Sequence, residues 1–354
     1  MENHRATLVV LFGGQSAEHD VSCVSATHVI RAVDPSLFDV VAVGIARDGA
    51  WHRSPDHTFR GDAARDVPDT LRVTGPAVEP GDVIRQEQGE VVVVPLLHGP
   101  LGEDGTVQGL LELLDVPYVG SGVLASALAM DKAMTKKVLA QAGIPQAAHV
   151  VLHQDECTPD AVADAFASLG SDVFIKPANM GSSVGVSHAV TPEEAAAAVT
   201  FACTYDNWVV MEETVHGREI EVSVIGNRLP RASLPGEITP ARDFYDYADK
   251  YEDGAATLTI PAALTDSQTS TIRELAVQAY RALRCEGMAR VDFFLEQEGR
   301  GFLVNEINTI PGFTPISMYP KMWQATGLSY GDLVTELVQL ARSRHASRKR
   351  NTEH

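Results

Sequence analysis

Residues 290–317 constrain the fold of this chain more than any other stretch. Two apolar runs, residues 291–295 and 302–304, are separated by a turn-like segment that contains two glycines. Apolar runs joined through such a short, glycine-containing segment are typical of a β-hairpin. The sequence therefore predicts two antiparallel strands in this region.

Four polar side chains accompany the apolar runs of this hairpin. Side chains two residues apart on a strand share a face, so Arg290 and Asp292 point one way, as do Glu306 and Asn308. If the two faces coincide, Asp292, Glu306 and Asn308 converge. Two carboxylates and an amide oxygen suit a hard divalent cation, Mg²⁺ in particular, which takes its remaining ligands from water and substrate phosphates. The alternative is a set of polar side chains at a hairpin edge that face water.

A turn follows the hairpin and favours the ligand-binding interpretation. Residues 311–314 read Pro-Gly-Phe-Thr, and Gly312 can bring a bare N–H close to a ligand. Ser317 then supplies a hydroxyl group. We therefore predict a magnesium site next to a turn that binds substrate.

Composition and charge narrow the class of protein. The chain has 354 residues, of which 45% are hydrophobic, enough for two or three domains with folded cores. A net charge of −19 argues against nucleic acid as a partner. No apolar run reaches the ~18 residues of a membrane span, and the N-terminus lacks the features of a signal peptide. We therefore predict a cytoplasmic protein that binds neither nucleic acid nor a membrane.

Lysine and cysteine usage add two further constraints. An acidic protein that binds polyphosphate must gather its few positive charges locally, which marks Lys132, Lys176 and Lys250 as candidates. The four cysteines lie far apart with no CxxC pair, which excludes a sequence-local zinc knuckle and fits unpaired thiols.

The N-terminal part has the pattern of a doubly wound α/β unit. An apolar strand at residues 7–12 leads into a glycine turn and a helix, but the turn is not GxGxxG, so a dinucleotide site has little support. Glu18 lies at the carboxyl end of the strand, where open sheets bind ligands, although the helix dipole alone also favours an acid there. His98 follows a buried strand at residues 91–97 and shares that edge, with a structural role as the alternative.

The middle of the chain alternates strands and helices. One long helix is predicted over residues 123–142, with Lys132 in its middle, where a lysine is ordinarily solvated. Lys176 ends an apolar strand that leads to Gly-Ser-Ser-Val-Gly at residues 181–185, which is small and rich in donors, as expected of a lid over phosphates. The segment is not a Walker A motif, because no Gly-Lys-Ser/Thr opens a helix.

Acidic side chains and an aromatic loop mark the next part of the chain. A strand is predicted at residues 208–213, with the acids Glu212 and Glu213 at its end. A second strand, at residues 219–225, alternates and carries Glu219 on its polar face, although such a row of acids is often only solvated. Residues 244–251 form an aromatic, charged loop of the kind that closes over ligands. A last helix is predicted at residues 330–342.

Together these motifs resemble the ATP-grasp superfamily and, within it, the D-alanine–D-alanine ligases. The matching segments span nearly the whole chain: GGQSAEHDVS, LLHGPLGEDGTVQGLLELLDVPYVGSGVLASALAMDK, IKPANMGSSVGVS, EETVHGREIEVSV, FYDYADKY, ARVDFF and NEINTIPGFTPIS. The resemblance implies an α/β (α+β) fold of three ATP-grasp domains. These are an N-terminal Rossmann-like substrate domain at residues 1–121, a central lid domain at 122–213 and a C-terminal domain with the metal site at 214–343. The resemblance gives the last residues no role, and their basic side chains predict a disordered tail at 344–354.

The same resemblance implies an activity, which is the ATP-dependent ligation of two D-alanines through an acyl phosphate for peptidoglycan precursor synthesis. It also implies ATP as substrate, two Mg²⁺ or Mn²⁺ ions per site and a homodimer. A D-alanine–D-lactate or D-alanine–D-serine ligase is the alternative. Tyr251 stands where lactate-using relatives commonly carry His, which favours the dipeptide but leaves D-serine open. A silent ATP-binding module would lack a metal ligand or a lysine, and none is missing.

The resemblance assigns roles to individual residues. The implied ATP-binding residues are Lys132, Lys176, Ser182, Ser183, Glu212, Val215, Glu219, Phe294 and Asn305. The implied metal ligands are Asp292, Glu306 and Asn308, with Glu306 bridging two ions. The implied substrate-binding residues are Glu18 and His98 for the first D-alanine, Lys250 and Ser317 for the second, and Tyr251, Arg290 and Gly312. The resemblance also implies a hydrogen-bonded trio of Glu18, Ser182 and Tyr251, which is catalytic together with Arg290 and Ser317. The implied oxyanion donors are Arg290 and the Gly312 N–H.

Overall fold

A computed structural model describes residues 5–60, 67–85, 87, 89–240 and 256–348. Within these ranges the strands form three sheets. The first sheet is mainly parallel, and the other two are antiparallel. The α/β fold class inferred from the sequence is therefore confirmed.

The first sheet has the strand order β3-β2-β1-β4. Its strands are β1 (Ala6–Gly13), β2 (Phe38–Ile45), β3 (Trp51–Phe59) and β4 (Val91–Pro95), and the helices of this region are α1 (His19–Ala32), α2 (Pro80–Arg85) and α3 (Thr106–Leu113). Leu8 and Val10 of β1 pack in a core with α1, whereas Val9 packs in a second core with α2 and α3. Helices thus cover both faces and leave the carboxyl ends of β1 and β4 open for a ligand.

The prediction of a single helix over residues 123–142 is wrong. The chain instead forms α4 (Val123–Met130) and α5 (Lys132–Gln141), separated by Asp131 in an extended conformation. The Asp131 carboxylate accepts a hydrogen bond of 2.9 Å from the Met134 N–H, as aspartate does at helix N-caps. Lys132 is therefore the first residue of α5 rather than the middle of a helix, and its N–H donates to the Ala178 carbonyl.

The second sheet is antiparallel with the order β5-β8-β6-β7. Its strands are β5 (His149–His153), β6 (Val173–Pro177), β7 (Ser187–Ala189) and β8 (Trp208–Glu213); a 3₁₀ turn (Gln154–Glu156) and helices α6 (Pro159–Ser168) and α7 (Pro192–Ala202) accompany them. Thr158 and Thr191 each cap the helix that follows, and a proline occupies the start of each helix. Both helices pack in one core with this sheet.

The third sheet contains the hairpin that the sequence predicts. It has the order β12-β11-β9-β13-β14, with β10 pairing on β9. The elements are β9 (Arg218–Ile225), β10 (Arg231–Ala232), β11 (Gly236–Thr239), β12 (Thr257–Thr259), α8 (Asp266–Ala282), β13 (Met288–Glu296) and β14 (Gly301–Asn308). Ile220, Val222 and Val224 pack in the core beneath α8, as their alternation predicts. The opposite face of β9 and the hairpin is therefore free to carry polar side chains.

The chain ends with α9 (Met318–Ala325) and α10 (Tyr330–Ser347), and α10 packs in the core of the first sheet. The prediction that a disordered tail starts at residue 344 is therefore wrong for residues 344–347. Arg344 is buried, donates a 2.9 Å hydrogen bond to the Tyr118 carbonyl and lies over the Tyr118 ring. Within the described ranges, no helix combines the length and apolar character of a membrane span.

Candidate active site

A cavity of about 240 Å³ opens where the three sheets meet. The first sheet contributes residues that follow β1 and β4, the second contributes the loop after β6, and the third contributes β9 and the hairpin. The lining residues discussed below are Glu18, His98, Glu103, Lys132, Gly181, Ser182, Glu219, Glu221, Arg290, Asp292, Phe294, Asn305, Glu306, Asn308, Gly312 and Ser317. One cavity therefore collects polar side chains that are up to 299 positions apart in sequence, Glu18 and Ser317 being the extremes.

The polar face of the hairpin converges as the sequence predicts. Asp292 of β13 lies directly opposite Glu306 of β14, and Arg290 lies opposite Asn308. The register shifts after Asp292, because Phe293 pairs with Val304 and Asn305 is skipped. Such a bulge re-aims side chains, and here both Asn305 and Glu306 line the cavity.

The donor set of this face fits a hard divalent cation. Asp292 and Glu306 supply carboxylates, and the Asn308 amide lies 3.0 Å from Asp292 Oδ2 through its nitrogen. Within the described ranges, no group of three or more His, Cys, Asp or Glu side chains could hold a metal ion. Because the Asn308 nitrogen donates to Asp292, the amide oxygen of Asn308 is the atom that could bind a cation. Together with the two carboxylates it makes a donor set of the kind that Mg²⁺ takes, with water and phosphate completing its coordination.

Arg290 is the cation at the centre of this polar face. Its Nε and Nη2 donate to the two Asp292 oxygens at 2.7 Å each, and its Nε lies 3.1 Å from Glu221 Oε2. Burial works to lower the pKa of Arg290, but Asp292 and Glu221 outweigh burial and hold the pKa well above its ordinary value. Arg290 is therefore a fixed positive charge that faces the cavity.

Two of the predicted ATP-site lysines approach the same region from different elements. The Lys132 ammonium donates to the Met180 carbonyl at 2.6 Å and lies 3.9 Å from Glu306 Oε2. The Lys176 ammonium contacts Glu212 and lies 3.4 Å from Asn305 Oδ1. The two cations therefore flank the Asn305–Glu306 part of β14.

The remaining predicted ATP-site residues fall into two groups. Ser182, Glu219, Phe294 and Asn305 line the cavity together with Lys132, whereas Lys176, Ser183, Glu212 and Val215 are not among its lining residues. Val215 lies in the connection between β8 and β9. Lys250 and Tyr251 lie outside the residues that the structure describes.

The Gly181–Gly185 segment folds against the first sheet. Ser182 and Ser183 both have positive φ, at 50° and 59°, a conformation that is uncommon for residues with a side chain. A Cβ on Gly181 would lie 3.2 Å from Glu18 Oε2, so glycine allows the loop to approach that carboxylate closely. The predicted lid is therefore in contact with the cavity on the side of Glu18.

His98 holds the turn after the hairpin in place. Its Nδ1 lies 2.9 Å from the Ile310 carbonyl, and its Nε2 lies 3.5 Å from Ser25 Oγ, which accepts from the Phe313 N–H. Burial lowers the pKa of His98, so the ring is neutral near pH 7, with Nδ1 donating to the carbonyl. Both ring nitrogens therefore contact protein groups, although the side chain also lines the cavity.

Gly312 and Ser317 face each other across the turn that follows. The Ser317 hydroxyl accepts a 2.9 Å hydrogen bond from the Thr314 N–H and lies 2.8 Å from Thr314 Oγ1. A Cβ on Gly312 would lie only 2.7 Å from Ser317 Oγ. Glycine is therefore required for the observed approach of the turn to this hydroxyl.

Glu103 is a buried acid of the site that sequence reasoning missed, as is Glu221. Glu103 follows His98 by five residues and lines the cavity, and its Oε1 accepts a 2.7 Å hydrogen bond from the Gly99 N–H. Burial, and then the nearby Glu18 carboxylate, raise the pKa of Glu103 to about 8. The only sequence signal was its place in the loop after β4, which Asp104 shares.

We expect Glu103→Gln to stabilise the ligand-free protein increasingly as the pH rises. The folded pKa of about 8 exceeds the ordinary value of 4.5, so between these values the folded protein keeps a proton that the unfolded chain releases. Stability therefore falls with rising pH over this window, by an amount on the order of a few kcal/mol. Glutamine cannot ionise, so the variant should not lose stability in this way as the pH rises.

Thermal unfolding at several pH values between about pH 5 and about pH 8, with chelator and without nucleotide, measures the effect. The difference in Tm between E103Q and the wild type should grow across this range. Glu298→Gln, at an exposed position in the hairpin turn, is the control and should leave the pH dependence unchanged. A difference that stays constant with pH would contradict the assignment.

Comparison with known proteins identifies the family of this chain. Residues 7–121 match the family described as "D-ala D-ala ligase N-terminus", and residues 138–339 match "D-ala D-ala ligase C-terminus". The chain is 45% identical over 358 residues to a D-alanine–D-alanine ligase of Bacillus pumilus, with 98% of each chain covered. It is 46% identical over 351 residues to D-alanine–D-alanine ligase A of Escherichia coli K12, with 96% of each covered.

Two solved structures are also similar. The D-alanine–D-alanine ligase of Coxiella burnetii matches with a TM-score of 0.79 and 34% identity, over 97% of this chain and 96% of that one. The VanG D-Ala:D-Ser ligase of Enterococcus faecalis matches with a TM-score of 0.80 and 32% identity, over 96% of this chain and 100% of that one. Both the sequence and the fold therefore match over nearly the full length.

Proposed function

Because this chain belongs to the D-alanine–D-alanine ligase family, and so is an ATP-dependent ligase that joins two D-alanines, we propose that the cavity between its three sheets is the active site. The observation that carries this proposal is the convergence of Asp292, Glu306, Asn308, Arg290 and Lys132 on one volume. That set combines oxygen donors for a cation with positive charges for phosphate, as phosphoryl transfer requires.

A carboxylate is a poor electrophile, so ATP must activate it before an amine can attack. We propose that the carboxylate of the first D-alanine attacks the γ-phosphorus, which forms an acyl phosphate and releases ADP. The second D-alanine, after its ammonium loses a proton, attacks the acyl carbon through its amine and expels phosphate. The products are D-alanyl-D-alanine, ADP and phosphate.

Lys132 and Lys176 are proposed to bind the phosphates, since positioning and charge neutralisation dominate phosphoryl transfer. Their support is the approach of both ammonium groups to the Asn305–Glu306 part of β14. Burial lowers the pKa of Lys132, and a bound phosphate would stabilise its charged form. Glu212, Val215, Glu219 and Phe294 are proposed to bind the rest of the nucleotide.

Asp292, Glu306 and Asn308 are proposed to hold Mg²⁺ or Mn²⁺. A cation bound there would neutralise phosphate charge and orient the transferred group. Asp292 is held by Arg290, and Arg290 also pairs with Glu221. The arginine can therefore keep one carboxylate partner when Asp292 serves a cation.

Arg290 and the Gly312 N–H are proposed to stabilise the tetrahedral oxyanion that forms when the amine attacks. Donors placed where charge develops are effective because they need no reorganisation during the reaction. Glu18 is proposed to bind the ammonium of the first D-alanine, with His98 near its carboxylate. The loop at Gly181 and Ser182 is proposed to exclude water, which would hydrolyse the acyl phosphate.

Gly312→Ala is expected to impair use of the second D-alanine. The new Cβ would displace either the turn or the Ser317 hydroxyl, which is proposed to hold the second carboxylate. A lost hydrogen bond to a charged group corresponds to a roughly tenfold or larger rise in the KM for D-alanine. The KM for ATP should change little, because Gly312 contacts none of the proposed phosphate-binding lysines.

Initial rates measured against each substrate separate the two constants. Gly109→Ala is the matched control, since a Cβ at this helical position meets no atom within 4 Å. It should leave both constants unchanged. A G312A enzyme with the wild-type KM for D-alanine would refute the role proposed for this turn.

A coupled assay of phosphate release tests the proposed function directly. D-alanine, ATP and Mg²⁺ together should release phosphate and form D-alanyl-D-alanine, identified by mass spectrometry. Phosphate release that required added D-lactate or D-serine would instead favour the alternative ligases. We also propose a cytoplasmic homodimer, and light scattering of the purified protein tests the dimer.

A further inference from the structure

A buried lysine next to the proposed nucleotide site has no role in the reaction described above. Lys136 lies one helical turn after Lys132 on α5, and only 2% of its side chain is exposed. Its ammonium lies 2.5 Å from Glu212 Oε1, and the second Glu212 oxygen contacts the Lys176 ammonium. Burying a lysine is costly unless its charge is compensated. The ion pair with Glu212 compensates the charge, but it does not show what the buried lysine does for the protein.

The cluster of Lys136, Glu212 and Lys176 carries one negative and two positive charges. Burial works to raise the pKa of Glu212, but the two ammonium groups outweigh burial and hold its pKa well below the ordinary value. Glu212 is therefore ionised near pH 7, and the cluster has a net positive charge. Such a charge beside a cavity favours an anionic ligand.

The two lysines of the cluster are not equivalent. Lys176 reaches toward the cavity, because its ammonium lies 3.4 Å from Oδ1 of the cavity residue Asn305. Lys136 is not among the residues that line the cavity. Its backbone carbonyl accepts a 2.9 Å hydrogen bond from Gln146 Nε2, which helps to fix this part of α5. Lys176 can therefore turn to a ligand, whereas Lys136 remains on Glu212.

We propose that Lys136 is a positioning residue for ATP, because it holds Glu212 when Lys176 moves to the nucleotide phosphates. Without Lys136, the departure of Lys176 would leave the buried Glu212 carboxylate without either of the ammonium groups that contact it, which is strongly unfavourable. Glu212 would then retain Lys176 and compete with the phosphates. This inference rests on the proposed ATP site. It states that Lys136, although it lies outside the cavity, contributes to the affinity for the nucleotide.

The test measures binding of a non-hydrolysable ATP analogue, with Mg²⁺ and without D-alanine, by isothermal titration. Lys136→Met should weaken binding roughly tenfold or more, since a charged hydrogen-bonded pair is broken. The KM for ATP should rise by a similar factor, while the KM for D-alanine stays unchanged. Lys136→Arg, which keeps the charge, should retain most of the affinity. Lys137→Met is the matched control, because Lys137 is exposed on the same helix, and it should bind as the wild type does.

A double-mutant cycle with Glu212→Gln isolates the mechanism. The E212Q variant has no carboxylate at this position that could lose its cations. Adding K136M to it should therefore change the affinity for the analogue by less than about threefold. Equal losses of affinity in both backgrounds, or a lower Tm with unchanged affinity, would refute the proposal. Should K136M fail to fold, K136Q replaces it with the same expected loss. A wild-type protein that binds no nucleotide would refute the ATP site itself, an outcome distinct from failure of the Lys136 variants alone.

Discussion

Glu306→Gln is expected to lower kcat/KM at least about 100-fold while leaving the fold intact, because it removes a charged ligand from the proposed metal site. Glu306 lies opposite Asp292 in the hairpin register and 3.9 Å from the Lys132 ammonium. Glutamine has nearly the same shape, so the hairpin should keep its packing. The amide carries no charge, however, and binds Mg²⁺ less well than a carboxylate does.

A second consequence of this change acts in the same direction. Burial lowers the pKa of Lys132, and the Glu306 carboxylate is the largest influence that opposes burial. Its removal weakens the charged form of a lysine proposed to bind phosphate. Metal binding and phosphate binding should therefore both suffer from this one substitution.

Phosphate release measured over a series of Mg²⁺ concentrations distinguishes lost affinity from lost turnover. Direct titration of Mn²⁺, with an ATP analogue present, gives the metal affinity without requiring turnover. Glu298→Gln is the matched control, since it makes the same chemical change in the exposed turn of the same hairpin. Wild-type activity and metal dependence in E306Q would overturn the metal assignment, whereas circular dichroism should show an unchanged fold.

The hairpin could be predicted because its pattern is local. Apolar residues alternate with Arg290 and Asp292 on one strand, and a glycine-containing turn limits how the two strands can pair. The bulge that skips Asn305 could not be predicted, because it breaks the two-residue period within the β13–β14 pairing alone, while β13 keeps an unbroken register with β9. Likewise, an apolar helical pattern over residues 123–142 concealed the break, which Asp131 makes through its own capping hydrogen bond.

The residues missed by sequence reasoning owe their character to distant parts of the chain. Glu103 has a raised pKa because burial and Glu18 act on it across 85 positions. Lys136 of α5 is buried against Glu212 of β8, which also contacts Lys176 of β6, so both of these groups come from distant parts of the chain. Arg344 was predicted to belong to a disordered basic tail, yet its guanidinium donates a hydrogen bond to the Tyr118 carbonyl. Contacts between such distant residues cannot be inferred from composition or from residue spacing, so they become visible only in the folded chain.

Arg290→Met is expected to lower kcat by about 10²–10³, the usual cost of removing one oxyanion donor. It should also destabilise the protein by about 3–5 kcal/mol, because Asp292 and Glu221 lose their shared cation in a largely buried setting. The side chains of these two acids are only 13% and 7% exposed. Catalysis and stability therefore depend on the same guanidinium.

Two further variants separate those contributions. Arg290→Lys keeps a positive charge but lacks the planar fork that contacts both Asp292 oxygens, so it should recover much of the stability and little of the rate. Arg300→Met removes an arginine that pairs with Glu296 and Glu213 at the exposed turn of the same hairpin, and it should cost less than about 1 kcal/mol. Denaturant unfolding and kcat are measured on all three proteins. A wild-type kcat in R290M would exclude Arg290 as an oxyanion donor, and equal destabilisation by R290M and R300M would show that burial does not strengthen the Arg290 ion pairs.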